Sequence, residues 1–237
     1  MYDVIANPAY LVQLVLSGLS IGSVYALFAI SFVIAWKSTS HLNLAAGELG
    51  SLGVFTLSSV AAAGAGAWAA VPLVLAGSAA VGAALHHGLV RHVAKKGVFP
   101  VVLLTLAVYL VANALVGLVW GTQPIAAPRL FPTGPDAQIV LLQGPPQAYL
   151  TYGDLASFAA LAIVVAGLAL FLRGTRFGQG LLAIREDEDT ARMLAVPTEG
   201  YKIAALVLSA FLTGLLGATY GFSLGYITTD SVFRTDF

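Results

Sequence analysis

The sequence predicts an all-α membrane protein, a polytopic helical bundle of about six spans, and three observations carry that reading. Hydrophobic residues make up 59% of the chain and charged residues only 9%, whereas soluble domains carry about a quarter charged residues. Continuously apolar runs near twenty residues long recur between short polar breaks, long enough to cross roughly 30 Å of hydrocarbon as helix. The runs are rich in Ala, Leu and Gly and do not alternate, which excludes the ten-residue dyad pattern of barrel strands.

In chain order the runs are Tyr10–Trp36, Gly47–Ala65, Trp68–Val90, Val98–Trp120, Asp154–Leu172 and Tyr201–Phe222. The segment before the first run, Met1–Pro8, lacks the basic start of a signal peptide, so the first run reads as a retained span. Net charge is zero, which gives no footprint for nucleic acid. Cysteine is absent, which removes disulfides, thiolate nucleophiles and cysteine metal sites. With the N-terminus outside, Lys37, Arg91, Lys95, Lys96, Arg173, Arg176, Arg185, Arg192 and Lys202 fall on the cytoplasmic side and only Arg129 and Arg234 outside. The positive-inside rule favours that orientation.

Two connections exceed a plain turn. Residues 121–153 hold six prolines, Pro124, Pro128, Pro132, Pro135, Pro145 and Pro146, and predict an extended external segment. Residues 173–200 hold Glu186, Asp187, Glu188 and Asp189 between Arg185 and Arg192, with Leu181, Leu182, Ile184, Met193 and Leu194 as an apolar stripe. That pattern predicts one short amphipathic helix ending near Pro197, against the alternative of a solvated charged loop.

Several strings imitate enzyme motifs. Gly18, Ser20 and Gly22 fit a nucleophile elbow but lie inside one apolar run, not between strand and helix. Gly178, Gly180 and Ala183 fit a relaxed dinucleotide fingerprint with no βαβ unit around them. No lysine follows a glycine, so a phosphate-binding Walker loop is excluded. His41, His86, His87 and His92 lack metal-site spacing and read as satisfied or interfacial side chains, so neither metal nor cofactor is expected. Gly18 and Gly22, and Gly217, Gly221 and Gly225, form small-xxx-small stripes that predict close helix packing. Glu48, at the start of the second run, reads equally as a carboxylate facing a wet path or as one stabilised by the helix dipole. Ser20, Ser23, Tyr25 and Asn43 supply neutral groups able to line the same path, or simply to pack helices.

Two blocks carry a family resemblance. The first is Leu16-Ser-Gly-Leu-Ser-Ile-Gly-Ser-Val-Tyr-Ala-Leu with Leu42-Asn-Leu-Ala-Ala-Gly-Glu-Leu; the second is Arg176-Phe-Gly-Gln-Gly-Leu-Leu-Ala-Ile-Arg-Glu-Asp-Glu leading into Tyr201-Lys-Ile-Ala-Ala-Leu-Val-Leu-Ser-Ala-Phe. Together they resemble permease subunits of branched-chain amino acid type ABC importers, a family that also serves urea and related solutes. The resemblance implies ATP-driven import of branched-chain amino acids or a similar small polar solute across a bacterial-type inner membrane, with a second permease subunit, two cytoplasmic ATPase subunits and an external solute-binding protein as partners, and no enzymatic activity in this chain. It implies a coupling role toward the ATPase for Arg176, Gly178, Ala183, Arg185, Glu186, Asp187, Glu188 and Ala191. Ala46 stands where the family usually has histidine, and Ala195 where a glycine usually ends the coupling helix. The family pattern continues through further spans beyond Phe237, so the bundle is expected to be incomplete at the C-terminus. An ion-coupled carrier or channel working without an ATPase is the alternative. The nearly charge-free spans, with Asn113 as the strongly polar group deep in one, weigh against it.

Overall fold

The computed structural model describes residues 7–39, 41–127, 131–132, 137–142, 147–224 and 226–227. Among the described residues, six helices are long and apolar enough to cross a membrane. They are α1 (Pro8–Thr39), α2 (Ala46–Ala65), α3 (Ala67–Val93), α4 (Val98–Trp120), α5 (Tyr152–Gly174) and, after two short helices, α8 (Thr198–Leu224). The short helices are α6 (Arg176–Glu186) and α7 (Glu188–Met193). The six observed spans overlap the six apolar runs and extend most of them by a few residues.

The ends follow from local chemistry. Asn7 caps α1, its side-chain oxygen accepting from the Ala9 amide at 3.0 Å, with Pro8 in the first helical position, where no amide is needed. Asn43 turns the chain into α2 by accepting from the Ala45 amide at 3.2 Å. The α2–α3 turn needs Gly64 and Gly66 at φ 93° and 72°, a region closed to most side chains. Thr151 and Asp154 form a reciprocal capping box at the start of α5.

Parts of residues 121–151 are strands. β1 (Ile125–Ala126) pairs antiparallel with β4 (Tyr226–Ile227), which ties this segment to the end of α8. β2 (Gln138–Leu142) and β3 (Ala148–Thr151) form an antiparallel hairpin, docked on α1 by the Tyr149 amide donating to Gln13 Oε1 at 2.7 Å. Pro128, Arg129, Pro135, Pro145, Pro146, Gly225 and Arg234 lie outside the described residues.

Helix α8 is the hub, packing against α1, α2, α3 and α5. Leu212 and Leu216 of α8 meet Val24 and Leu27 of α1 and Val164 of α5, while Ala218 meets Leu57 of α2 and Ala70 and Val74 of α3. By contrast, α4 and α5 expose Leu118, Ile163 and Leu170 at 71% or more. Such side chains face acyl tails rather than water when the bundle sits in lipid.

Where α8 crosses α2 and α3, glycines set the distance. A methyl group at Gly217 would run into the Gly50 carbonyl, with Val54 Cγ2 at 3.2 Å, and one at Gly214 would meet Ser78 Cβ at 2.8 Å. The reciprocal contact lies on α3, where a methyl at Gly82 would meet Ala210 Cβ at 2.5 Å. Gly18 and Gly22 differ, since an added methyl would meet nothing within 4 Å. The close contact expected there is not made within this chain, because that face of α1 points away from the bundle. Gly221 lies in the last turns of α8.

The buried hydroxyl groups within the bundle are paired across helices or with their own turns, as a medium without water favours. Ser209 of α8 donates to the Ser31 carbonyl of α1 at 2.7 Å, and Trp120 Nε1 donates to Ser59 Oγ at 2.6 Å across α4 and α2. Substituting Gly217→Leu is expected to force α2 off α8 and cost roughly 1–3 kcal/mol through overpacking. Gly18→Leu should stay within about 0.5 kcal/mol of the parent. Thermal unfolding of the two variants in detergent checks the contrast.

Candidate functional site

Two regions carry the polar chemistry: a set of contacts within the spans, and the α6–α7 segment beyond their ends. Within the spans, Glu48 sits in the first turn of α2 and is 4% exposed. Its Oε1 accepts from Asn113 Nδ2 of α4 at 3.2 Å. The carboxylate lies in the first turn of its helix, where the dipole favours it, and it faces the Asn113 amide of α4. Asn113, the polar residue that stood out in α4, is its partner.

The other residues considered for a path are dispersed. Ser20 is buried and donates to Oδ1 of Asp154, so it braces α1 against the α5 capping box. Ser23 donates back to the Ser20 carbonyl of its own helix at 2.6 Å. Tyr25 is 58% exposed on the outer surface of α1. Asn43 lines a cavity of about 40 Å³ at the ends of α1, α3 and α4, together with His86, Thr105 and Leu206. That space suits about one water.

His86 corrects the reading of the histidines as satisfied or interfacial. It is 4% exposed, and neither ring nitrogen has a hydrogen-bond partner among the described residues. It continues, four residues on, the buried stripe of Ala70, Val74 and Gly82 on α3, at the start of a π turn spanning His86–Val90, and the nearly uniform hydropathy of the run hides which face is inward. Among the described residues no group of three or more His, Asp or Glu is placed to hold a metal ion.

The segment beyond the spans is two helices, not the single one expected. Asp187 breaks it: the residue is extended at φ −157° and ψ 111°, and its carboxylate caps α7. Oδ1 accepts from the Asp189 and Thr190 amides at 3.0 and 3.1 Å, and Oδ2 accepts from Thr190 Oγ1 at 2.7 Å. The Thr190 hydroxyl, then its amide, hold the Asp187 carboxyl below its usual pKa.

The apolar stripe is divided as well. Leu181 and Ile184 are buried against the bundle, whereas Met193 and Leu194 are 80% and 75% exposed. The α7 exit explains their position. The Val196 amide bonds the Ala191 carbonyl and the Ala195 amide the Arg192 carbonyl, both at 3.1 Å, which is the Schellman pattern. It requires a left-handed residue, and Ala195 adopts φ 60° where glycine is the unstrained choice.

Three contacts fix the segment to the bundle. The Thr175 hydroxyl caps α6 by accepting from the Gly178 amide at 3.0 Å, and a methyl at Gly178 would strike the Phe171 carbonyl at 2.6 Å. The Phe177 and Tyr201 rings stack with centroids 4.6 Å apart and planes 9° from parallel, and the Tyr201 ring covers Gly180. Glu188 Oε1 pairs with Arg192 at 2.9 Å and with Lys202 of α8 at 2.6 Å. Ala191 is buried at this junction, while Arg176, Ala183, Arg185, Glu186 and Asp189 are exposed. Phe177 and Tyr201 entered the sequence reading only within the family blocks, and Lys202 there and as a cytoplasmic-side cation, with no contact assigned to any of them. Only the Glu188–Arg192 spacing of four residues hinted at an ion pair.

A family model for the permease component of branched-chain amino acid transport systems matches residues 14–236. The chain belongs to that family. No curated protein and no solved structure matches it. The permease component is thus a multi-pass membrane protein and a transport subunit rather than an enzyme, and its family match takes in both the spans and the α6–α7 segment.

Two outcomes follow. Ala195→Gly should relieve the left-handed strain and stabilise the α7 exit by about 1 kcal/mol, read as slower amide exchange at Val196. The Asp187 cap is complete above the ordinary aspartate pKa of about 3.9 and is lost as pH falls through the depressed folded value. The protection of the Thr190 amide, its exchange rate taken relative to the intrinsic rate at the same pH, should therefore fall on acidification, and Asp187→Asn should flatten that dependence.

Proposed function

We propose that this chain is the transmembrane subunit of an ATP-driven importer for branched-chain amino acids or a similar small polar solute. In this reading α6 and α7 receive motion from a cytoplasmic ATPase subunit. The observation that carries it is the attachment of α6 and α7 to α8, through the Phe177–Tyr201 stack and the Glu188–Lys202 pair. A push on the segment reaches the helix that holds α1, α2, α3 and α5 together.

The docking face comprises Arg176, Ala183, Glu186, Asp187 and Asp189, with Met193 and Leu194 as an apolar knob. Exposed charge beside exposed apolar surface outside a span is what a partner's groove recognises. Gly178, Glu188 and Ala191 act from the inward side, holding the segment on the bundle. The N-terminus lies outside and the segment inside, supported by the nine-to-two distribution of Lys and Arg. A second permease subunit, two ATPase subunits and a solute-binding protein complete the assembly that the family implies.

One observation favours a second reading. Glu48 is the one carboxylate in the buried class among the described residues, and a buried acid within a span is a feature of ion-coupled carriers. Uptake of leucine and isoleucine into vesicles holding the assembled complex separates the two. Strict dependence on ATP supports the importer, whereas uptake driven by an ion gradient alone supports the carrier.

The docking face has its own test. Glu186 and Asp189 have no ion-pair partner among the described residues, so Glu186→Lys with Asp189→Lys reverses charge without breaking a contact of the fold. Substrate-stimulated ATPase activity should fall about tenfold, equivalent to roughly 1.4 kcal/mol of coupling, with membrane insertion unchanged. Undiminished stimulation would place the docking surface elsewhere.

A further inference from the structure

We propose that the groove between α1, α5 and α6 binds one anionic phospholipid, its headgroup held by Lys37 and Arg185 and an acyl chain lying along α1. The groove measures about 340 Å³. Its α1 wall is Ala29, Ile30, Val33 and Ile34, and Leu168 and Leu172 of α5 stand opposite. From Ala29 to Lys37 is eight residues of helix, about 12 Å along the axis, so the apolar wall runs inward from the end of the span.

Charge selects the headgroup. Lys37 and Arg185 both line this groove, and no acidic residue does. Neither cation has a carboxylate within ion-pair distance among the described residues. Ser38, the remaining polar side chain on the lining, is committed to the Ile34 carbonyl. Two unpaired cations at the mouth of an apolar groove between membrane helices match a phosphodiester carrying a net negative charge, joined to hydrocarbon. A zwitterionic headgroup brings its own cation into the same space and is disfavoured.

The geometry of α6 makes this distinct from the docking face. Gly178, Leu181 and Ile184 are buried in the bundle, and Leu182 and Arg185 flank them along the groove. At 100° per residue, Arg176, Ala183 and Glu186 fall on the side turned away from the bundle. A lipid in the groove therefore leaves that side open, and the proposal holds whether or not transport is driven by ATP.

Native mass spectrometry of the full chain, extracted in mild detergent and titrated with phosphatidylglycerol or phosphatidylcholine, tests it. Phosphatidylglycerol should be retained in preference. Its affinity should fall about fivefold with Lys37→Gln or Arg185→Gln and about thirtyfold with both, and should not fall with Arg173→Gln, which lies off the groove. Leu168→Trp, which fills the apolar end one turn deeper than Leu172 and keeps both cations, should also expel the lipid. Equal retention of the two lipids, or binding indifferent to the double substitution, overturns the proposal. So does a cross-link through Leu168→Cys between two copies in this cysteine-free background, since a second protein rather than a lipid would then cover the groove.

Discussion

Between apolar helices in hydrocarbon there is no water to expel, so burying leucine against leucine gains little over burying it against lipid. What remains is close approach: dispersion between well-fitted surfaces, and polar groups that find partners only when backbones come near. The contacts of α8 with α2 and α3 meet that condition through Gly217 on Gly50 and Gly214 on Ser78, matched by Gly82 on Ala210. Once α8 is seated, the Ser209–Ser31 bond to α1 comes within reach. The lipid-facing helices, by contrast, need only a modest strip of contact, and their outward leucines gain the same environment from acyl chains.

That constraint also bears on motion. Glycine and serine seams carry few long side chains across them, Leu57 against Ala218 being one, so relative displacement disrupts few contacts. The α6–α7 segment is joined differently, by a near-parallel ring stack and a carboxylate shared between Arg192 and Lys202. The stiffer joint sits at the end of α8 and the smoother seams along its length.

The spans were legible because hydropathy over twenty residues is a property of each segment alone. Partnerships were less so. A glycine stripe reads alike whether it faces a neighbouring helix or the outside, so Gly18 and Gly22 looked equivalent to Gly217 although only the last is covered in this chain. Glu48 and Asn113 were each conspicuous, but nothing in their separation of 65 residues joined them. The split at Asp187 was hidden in a run of four acids, since the run records charge and not which member turns its carboxylate back onto the chain. His86 falls four residues beyond Gly82 on the stripe of α3 that also buries Ala70 and Val74, but an almost uniformly apolar run shows no favoured face, so its burial was not legible.

Helix α6 shows how one short element serves several surroundings. Its hydrophobic stripe is narrow, and Gly178 lets it lie flush on the end of α5, where a side chain would collide with the Phe171 and Leu172 backbone. Lying flush brings Arg185 to the groove beside Lys37 and turns Glu186 and Ala183 outward. Tilting α6 away from α5 would separate Arg185 from Lys37 and unstack Phe177 from Tyr201 together, because both sit on the same rigid three turns. The charge held at the groove and the position of α8 are therefore linked through a single helix. Any ligand that prefers one tilt of α6 must, by the reciprocity of coupled equilibria, also bias how α8 is seated.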